Sequence, residues 1–377
     1  MQILLLSPYH TGSHQAWADS LVRHSRASVE LLSLPGRFWK WRMHGAAPSM
    51  ARRFLESSLQ PDLIVATDML DLATFLGLTR GRTAQIPSVL YMHENQLLYP
   101  LPSDPKAGPM RRQHGERDLH YAFVNYLSMA AADRIVFNSQ FHRSALLEAI
   151  PRFLRAFPDE VELPPFGALL EKSSVLSPGI EAPIGDEPWV SGGAPPLVFW
   201  NQRWEYDKRP EKFFAALESL ADEGVEFRVA LCGENFRQDP TEFLQARESL
   251  GGRIVQWGHA SAPLYRSLMA EASVVVSTAD HEFFGISIVE AMAHGCAAVL
   301  PRRLSYPELI PVELHPVCLY DDDASLLQQL RHFLRYPLAV REVGGRLRGA
   351  AGEHEWGELR DADDALFASM IALGPHS

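Results

Sequence analysis

Two glutamates eight residues apart, Glu282 and Glu290, stand in the segment DHEFFGISIVEAMAHGC, directly after the strand-like run SVVVS. Gly285 is predicted to open a helix, and the free N–H groups of a helix start, here near Phe284 and Ile286, form a natural seat for a phosphate. One turn further on, Glu290 is placed to accept hydrogen bonds from ribose hydroxyls, and Glu282 from the hydroxyls of a sugar. The alternative is a pair of surface glutamates flanking a loop.

A second charged pair lies early in the C-terminal half, where the segment NQRWEYDKRP contains Arg203 and Lys208. A departing nucleoside diphosphate accumulates negative charge in the transition state, and a guanidinium fork together with an ammonium stabilises that charge. Solvated surface charges are the commoner fate of isolated basic residues.

Polar residues also crowd the end of a predicted strand in the first half, where YMHENQLLYP contains His93, Glu94 and Asn95. Side chains at the carboxyl end of a parallel strand line the binding crevice of an α/β sheet, although a structural histidine is the alternative. Gly12, after the first strand, is grouped with the donor-binding residues, and its loop is also expected to shape the acceptor side; a tight turn is the other possibility. The sequence has neither G-x-G-x-x-G nor G-x-x-x-x-G-K-[ST]. It therefore contains no motif for binding a nicotinamide cofactor or for ATP hydrolysis of the Walker type.

These residues require a scaffold of parallel strands, and the sequence predicts one in each half. Short apolar runs alternate with amphipathic stretches, which is typical of doubly wound α/β domains. The predicted strands are 3–7, 29–34, 63–67, 89–92 and 134–138, then 197–200, 227–232, 254–257, 274–277, 297–300 and 317–320. In the first half, the predicted helices are 15–26, 70–78, 119–132 and 141–153.

Four segments follow from this pattern. We predict a Rossmann-like domain at 1–170, a Pro/Gly-rich linker at 171–196, a second Rossmann-like domain at 197–352 and a C-terminal helix within 353–377 that packs on the domains. The carboxyl ends of the two sheets are expected to face each other across a cleft, where ligands of open α/β sheets bind.

The composition excludes several classes of protein. Of the 377 residues, 46% are hydrophobic and 21% charged, which is ordinary for a globular chain. Three cysteines without C-x-x-C spacing indicate neither a disulfide framework nor a metal centre and fit a reducing cytosol. No leader peptide or membrane span is expected, and the acidic run 321–323 is interpreted as a helix cap rather than a metal ligand set.

The charge is distributed unevenly along the chain. The net charge is −11, but residues 1–170 carry 17 basic and 15 acidic side chains, whereas residues 171–377 carry 18 and 31. A polyanionic partner is therefore expected to dock on the first half.

The segment from Glu282 to Glu290 resembles the E-x7-E element of retaining glycosyltransferases of family 4, whose two-domain architecture is called GT-B. The resemblance implies that Glu290 contacts the nucleotide ribose, Glu282 the transferred sugar, and Arg203 and Lys208 the diphosphate, while His93 matches a histidine near the reacting sugar. It also implies transfer without an active-site metal or other cofactor, the nucleotide sugar being a co-substrate, and without a clear enzymic nucleophile or general base.

The first half narrows this resemblance. SPYHTGSHQAW, LPGRFWKWRMHGAA, MHENQLLYP and DRIVFNSQFHR together are similar to the family of tRNA-queuosine alpha-mannosyltransferases. That family implies transfer of mannose from GDP-mannose to the cyclopentene-diol of queuosine in the anticodon of tRNA-Asp. No stable protein partner is expected.

Basic and aromatic residues interleave in one of these motifs, a mixture able to contact phosphate and to stack on a base. The candidate acceptor-binding residues are Arg37, Trp39, Lys40, Trp41 and Arg42, together with Glu94 and Asn95. Core aromatics beside a basic loop are the alternative for the motif. The pairs at 52–53 and 111–112 are further candidates for phosphate contact.

Two other functions remain open from the residues alone. One is a similar transferase with a small-molecule, lipid or polysaccharide acceptor. The other is a non-catalytic module that binds nucleotide sugar or tRNA. The presence of Arg203, Lys208, Glu282 and Glu290 together argues against the second, since a silent relative has no chemical need for all four.

Overall fold

The computed structural model describes residues 1–100, 119–159, 166–181, 193–233 and 241–374. The chain divides into two compact units: Met1–Gly179 with Trp356–Ser377 form unit 1, and Ile180–Glu355 form unit 2. The pair at 111–112 lies outside the described residues. Within the described ranges, no helix is both long and apolar enough to cross a bilayer.

Unit 1 is built on a parallel sheet of six strands in the order β2-β1-β3-β4-β5-β6. The strands are β1 Gln2–His10, β2 Ser28–Pro35, β3 Leu63–Thr67, β4 Ser88–Met92, β5 Arg134–Phe137 and β6 Ser173–Val175. Every residue of β3 and β4 is buried, as expected for strands covered on both faces.

Helices cover both faces of this sheet. They are α1 Gly12–His24, α2 Trp39–Glu56, α3 Leu72–Thr83, α4 Leu119–Ala131, α5 Gln140–Leu154, α6 Phe166–Glu171 and the C-terminal α15 Trp356–Leu373. Successive residues of β1 alternate between the two layers, Leu4 joining the core on one side and Leu5 the core on the other. The C-terminal helix returns to unit 1, where Phe367 and Met370 pack in the layer that contains Leu5.

Unit 2 has the same architecture, with a parallel sheet in the order β12-β11-β10-β7-β8-β9. The strands are β7 Leu197–Trp200, β8 Arg228–Leu231, β9 Ile254–Trp257, β10 Val274–Val276, β11 Ala297–Pro301 and β12 Leu319–Tyr320. The helices are α7 Pro210–Asp222, α8 Thr241–Leu250, α9 Ala262–Glu271, α10 Ile286–Ala293, α11 Tyr306–Leu309, α12 His315–Cys318, α13 Asp323–Arg335 and α14 Pro337–Gly352, with single 3-10 turns at Tyr206–Lys208, Gly251–Arg253 and Val312–Leu314.

The structure confirms the predicted α/β class, and it differs from the sequence prediction in three details. The range 317–320 was predicted as a strand, but α12 occupies its first half because Pro316 starts a helical turn. The predicted linker, 171–196, includes β6 of the first sheet. The basic-aromatic motif begins α2, a helix that the sequence did not predict. Asp322 caps α13, as expected of the acidic run.

Candidate active site

The ends of two neighbouring strands of unit 2, β7 and β10, place the charged residues that the sequence singled out. The loop after β7 and the loop after β10 are joined by hydrogen bonds: the Thr278 hydroxyl donates to the Lys208 carbonyl at 2.7 Å, and the Asp280 N–H donates to the Asp207 carbonyl at 2.7 Å. The two loops therefore form one scaffold, with the 3-10 turn Tyr206–Lys208 held against the segment that leads into α10.

Lys208 is the central cation of this scaffold, and its side chain is only 7% exposed. Its Nζ donates a hydrogen bond to the His281 carbonyl at 2.7 Å and lies 3.4 Å from Glu282 Oε2 and 3.3 Å from Asp207 Oδ2. The sequence predicted Lys208 and Glu282 as separate contributors, and the structure brings them together as an ion pair. Asp207, itself 2% exposed, was missed.

The charge of Glu282 is stabilised by its surroundings. Burial disfavours its ionised form, but the Lys208 ammonium, His281 and the Phe284 N–H together hold the pKa of Glu282 below its usual value. The neighbouring His281 behaves oppositely, because burial and the positive charge of Lys208 lower its pKa to about 4. At neutral pH the site thus contains an ionised Glu282 beside an uncharged His281.

Gly285 opens α10 in a conformation that favours glycine, with φ 95°. A Cβ there would lie 3.2 Å from the Tyr306 ring. The Ser305 hydroxyl donates to the Phe284 carbonyl at 2.9 Å, and the Phe284 side chain is buried in the core of unit 2. The first-turn amides that follow, at Ile286 and Ser287, have no acceptor within the helix and carry the positive end of its dipole.

Glu290 lies on α10 beside a tyrosine that the sequence did not single out. The Tyr265 hydroxyl donates to Glu290 Oε2 at 3.4 Å, and the same hydroxyl accepts a hydrogen bond from the Asn201 side chain at 3.1 Å. Asn201 Nδ2 also donates to the Ser287 carbonyl at 2.8 Å, which ties the end of β7 to α10. Burial raises the pKa of Glu290 to about 7, against the opposing effect of the Tyr265 hydrogen bond.

Arg203 differs from Lys208 in its exposure. Its side chain is 48% exposed, and Nη1 lies 3.6 Å from Glu205 Oε1. The guanidinium is thus at the surface of the loop, tethered loosely by a carboxylate two residues away. Such a group can turn towards an incoming anion at small cost.

In unit 1, His93 lies at the end of β4 among aromatic rings. Its ring centroid is 4.4 Å from that of His14, 4.7 Å from Tyr91 and 4.8 Å from Trp17. Burial first, and then its histidine neighbours, lower the pKa of His93, so the imidazole is neutral. Its backbone N–H donates to Asp68 Oδ1 at 2.9 Å; Asp68 is another missed residue, and burial raises the pKa of its carboxyl.

The two residues after His93 have different surroundings. Glu94 is partly buried and accepts a hydrogen bond from the Gln96 side chain at 3.0 Å. Asn95 is fully buried: its Nδ2 pairs with His142 Nε2 at 3.0 Å, and its Oδ1 accepts from the Leu98 N–H at 2.8 Å. The amide of Asn95 is therefore committed to the interior of the unit, where it holds the strand end.

Gly12 begins α1 with φ 52°, and a Cβ there would meet no atom within 4 Å. It belongs to unit 1, whereas the other predicted donor-binding residues, at 284–286 and 290, belong to unit 2.

Of the basic-aromatic motif at the start of α2, Trp39 packs against Tyr121 with ring centroids 5.2 Å apart. Lys40 places its ammonium 5.6 Å from the Trp39 ring and 5.7 Å from the Tyr121 ring. Arg37, which precedes the helix, and Trp41, in its first turn, are exposed, and Arg42 is partly exposed.

The missed residues have a common explanation. Tyr265 is 25 residues away from Glu290 in the sequence, and Asp68 is 25 residues away from His93. Both pairs come into contact only when the chain folds. Nothing in their local sequence marks them. Asp207 is different, because its position directly before Lys208 offered a signal: a carboxylate beside a lysine that must be buried.

Both halves of the chain match known glycosyltransferase families. Residues 2–180 match the family described as tRNA-queuosine alpha-mannosyltransferase N-terminal, and residues 186–323 match glycosyl transferases group 1. The tRNA-queuosine alpha-mannosyltransferase of Drosophila melanogaster is 33% identical over 350 residues, which are 90% of this chain and 89% of the relative. A GDP-mannose-dependent alpha-(1-6)-phosphatidylinositol dimannoside mannosyltransferase of Mycobacterium tuberculosis is 25% identical over 291 residues, covering 76% of this chain and 70% of the relative.

Solved structures confirm the predicted GT-B fold. Sucrose-phosphate synthase from Thermosynechococcus elongatus superposes with a TM-score of 0.73 at 14% identity, covering 99% of this chain and all of that one. The Anabaena protein HepE, in complex with UDP and glucose, superposes with a TM-score of 0.67 at 15% identity, covering 98% of this chain and all of that one. Together with the sequence relatives, this places the chain in the tRNA-queuosine alpha-mannosyltransferase family of glycosyltransferases.

Proposed function

We propose that this protein transfers mannose, with retention of configuration, from GDP-mannose to queuosine in the anticodon of a tRNA, most specifically tRNA-Asp. The observation that carries the proposal is the Lys208–Glu282 pair beside the Gly285 turn, in a chain similar over 90% of its length to an enzyme with that name. The Mycobacterium relative, named as GDP-mannose-dependent, supports the same donor.

Positive charge in unit 2 is suited to a diphosphate. The buried Lys208 ammonium provides a fixed point charge, the exposed Arg203 guanidinium provides a mobile fork, and the amides that open α10 add the positive end of a helix dipole. We propose that these three groups stabilise the departing GDP, so that no metal ion and no other cofactor are required. GDP-mannose acts as a co-substrate.

Carboxylates next to these cations are suited to hydroxyl groups. In the proposed complex Glu290 accepts hydrogen bonds from the ribose hydroxyls, with Tyr265 holding its carboxylate in place. Glu282, kept ionised by Lys208, accepts hydrogen bonds from the mannose. Both contacts orient the donor so that its anomeric carbon is presented to the acceptor.

The proposed reaction step is balanced without an enzymic base. The bond between the anomeric carbon and the β-phosphate oxygen breaks, and a hydroxyl oxygen of the queuosine cyclopentene-diol forms the new bond on the same face. The proton of that hydroxyl passes to the leaving phosphate oxygen. In unit 1, we propose that the neutral His93 and the Gly12 loop shape the acceptor side, with Glu94 available to the acceptor and Asn95 supporting the strand end.

The test is transfer of label from radioactive GDP-mannose into tRNA. Queuosine-containing total tRNA is compared with tRNA from a strain that lacks queuosine, and Glu282→Gln serves as the catalytic control. Label only in the queuosine-containing sample, and only with the unaltered enzyme, supports the proposal. Donor hydrolysis without label in either tRNA would instead favour a small-molecule, lipid or polysaccharide acceptor.

A further inference from the structure

Phe38 and Trp41, at the start of α2, are the most exposed aromatic side chains in the described part of the chain, at 73% and 62%. Phe38 is the N-cap residue of α2, and Trp41 belongs to the first turn of the same helix. Packing in the core of unit 1 does not explain the position of two large aromatic rings that are so exposed. Exposed apolar groups that lie together often mark a binding surface.

The backbone at Phe38 is strained. Its φ of 55° and ψ of 54° lie in the left-handed region, which is unfavourable for a bulky side chain. Burial of the ring does not compensate for this strain, because the ring projects into solvent. Arg37 accompanies it, with its guanidinium carbon 6.0 Å from the centre of the Phe38 ring.

Trp41 lies flat along its own helix. A Cβ on Gly45, one turn further on, would come within 2.6 Å of the indole atoms Cε2 and Cζ2. Since Gly45 has no side chain, one face of the indole rests on the helix and the rest of the ring remains exposed. The ring is therefore pre-oriented for stacking, which lowers the entropy lost when a planar ligand binds.

The loop that carries Phe38 is also fixed in place. A Cβ on Gly36 would lie 2.2 Å from the Thr11 side chain, so the loop after β2 packs tightly against the loop after β1. The Arg42 Nε donates to the Pro35 carbonyl at 3.1 Å, and the Arg37 N–H donates to the same oxygen at 2.9 Å. The two exposed rings thus stand on a rigid turn.

The sequence around the rings is positively charged in a chain that is acidic overall. Arg37, Lys40 and Arg42 lie within four residues of both rings, and residues 31–51 contain no acidic side chain, against a net charge of −11 for the whole protein. Basic side chains between exposed aromatic rings complement a single-stranded nucleic acid, where phosphates alternate with unpaired bases.

We propose that Phe38 and Trp41 form a stacking platform for unpaired bases of the tRNA acceptor, with Arg37 and Arg42 contacting the adjoining phosphates. Trp39 and Lys40, packed on Tyr121, act as the support of this platform rather than as its binding surface. The inference rests on the proposed function, because it takes tRNA as the acceptor, and it adds which residues hold the RNA.

The experiment measures the affinity of the full chain for queuosine-containing tRNA by filter binding, at several salt concentrations. We expect Trp41→Ala and Phe38→Gly each to weaken binding about tenfold, and Trp41→Phe to restore most of the lost affinity. Gly45→Ala, which forces the indole to move, is expected to weaken binding as well. In a plot of the logarithm of affinity against the logarithm of salt concentration, Arg42→Ala should also reduce the slope by roughly one, because one phosphate contact is lost.

Two controls separate binding from folding. Leu78→Ala removes an exposed apolar side chain elsewhere on unit 1 and should leave affinity and transfer unchanged. Phe38→Gly removes an unfavourable backbone conformation, so its melting temperature should not fall. A loss of affinity without a loss of stability therefore reports on the ring itself.

The outcomes distinguish this inference from the proposed function. If the unaltered enzyme labels queuosine-containing tRNA but Phe38→Gly and Trp41→Ala bind it as tightly as the parent, the platform is overturned and the function stands. If the enzyme binds tRNA through these rings but transfers no mannose, the platform stands and the function falls. If the protein binds no tRNA at all, both the platform and the proposed function are overturned, and the exposed rings would then belong to a surface for a protein partner.

Discussion

The ammonium of Lys208 lies between two carboxylates, 3.4 Å from Glu282 Oε2 and 3.3 Å from Asp207 Oδ2. Glu282 belongs to the loop that leads into α10. Asp207 is 2% exposed, and apart from the Lys208 ammonium its carboxylate has no polar partner among the described residues. Lys208 therefore neutralises a buried acid, in addition to the role towards the donor diphosphate that we propose for it.

This double function predicts that Lys208→Ala loses both activity and stability. We expect transfer to fall by orders of magnitude, and the protein to be destabilised by about 3–5 kcal/mol because Asp207 is left as an uncompensated buried charge. The double variant Lys208→Ala with Asp207→Asn should recover most of the melting temperature without recovering transfer. Steady-state transfer assays and thermal unfolding measure the two effects; a Lys208→Ala protein of unchanged stability would contradict the buried ion pair.

Glu290 predicts a pH dependence of donor binding. Its pKa is raised to about 7 by burial, so the carboxyl is largely protonated at pH 6 and largely ionised at pH 8. A carboxylate accepts two ribose hydroxyls better than a carboxylic acid does, and GDP-mannose should bind more tightly as the pH rises through 7. Calorimetric titration of GDP-mannose at pH 6, 7 and 8 tests this, because its diphosphate, unlike the terminal phosphate of GDP, has no proton to lose in this range. Glu290→Gln should bind weakly and with no such dependence. Equal affinity of the unaltered protein at all three values would refute the assignment of Glu290.

Burial of the Glu290 carboxyl lowers the stability of the protein at high pH, and burial of the Asp363 carboxyl has the same effect. Burial also raises the pKa of Asp363, on α15, to about 7. An acid whose pKa is higher in the folded than in the unfolded state contributes stability at low pH and loses it as the pH rises from about 4 to about 7. Glu290→Gln and Asp363→Asn should therefore each be more stable than the parent at pH 8, by up to about 3 kcal/mol, and little different at pH 4. Only Glu290→Gln should also weaken GDP binding, which makes Asp363→Asn its matched control in melting and titration experiments.

Much of the fold follows from local sequence because its strands are buried on both faces. Runs such as those of β3 and β10 are continuous and β-branched, and they are readily predicted. The helix α2 was missed because Gly45 and Pro48 interrupt it, although Gly45 is required by the Trp41 ring and not by a turn. The strand β6 has three residues in a Pro/Gly-rich region, too few to show any period.

The charged residues of the candidate site could be singled out from the sequence, whereas the residues that support them could not. Glu282 and Glu290 stand out because a helix start between them has a clear chemical use. Tyr265, by contrast, lies on α9 and reaches Glu290 only after the sheet has formed. Asn95 shows the opposite error: a polar residue at a strand end was expected to face the ligand, but its amide is needed inside to pair with His142.

Tyr265 predicts an electrostatic adjustment of Glu290. Its hydroxyl hydrogen bond lowers the pKa of Glu290 against the effect of burial, so Tyr265→Phe should raise that pKa further. The pH at which GDP-mannose affinity increases should move upward, and maximal affinity should be reached only at more alkaline pH. Loss of the two hydrogen bonds of this hydroxyl, to Glu290 and from Asn201, should cost about 1–3 kcal/mol of stability. Titration of GDP-mannose across pH 6–9 gives the shift directly; a profile that superimposes on the parent's would mean that the 3.4 Å contact has no influence on Glu290.

Gly285 and Gly349 allow the same substitution to be made with opposite expected results. At Gly285, with φ 95° and the Tyr306 ring 3.2 Å from an added methyl, Gly285→Ala should destabilise the protein by about 1–2 kcal/mol and displace the start of α10. GDP affinity should fall about tenfold, because the first-turn amides no longer point at the phosphate.

Gly349 lies inside α14 with open space around it, so Gly349→Ala should stabilise the helix by about 1 kcal/mol and leave GDP binding unchanged. If melting and GDP titration gave Gly285→Ala the same values as the parent while Gly349→Ala behaved as expected, the helix start would not be the seat of the diphosphate, and Lys208 and Arg203 would have to stabilise it alone.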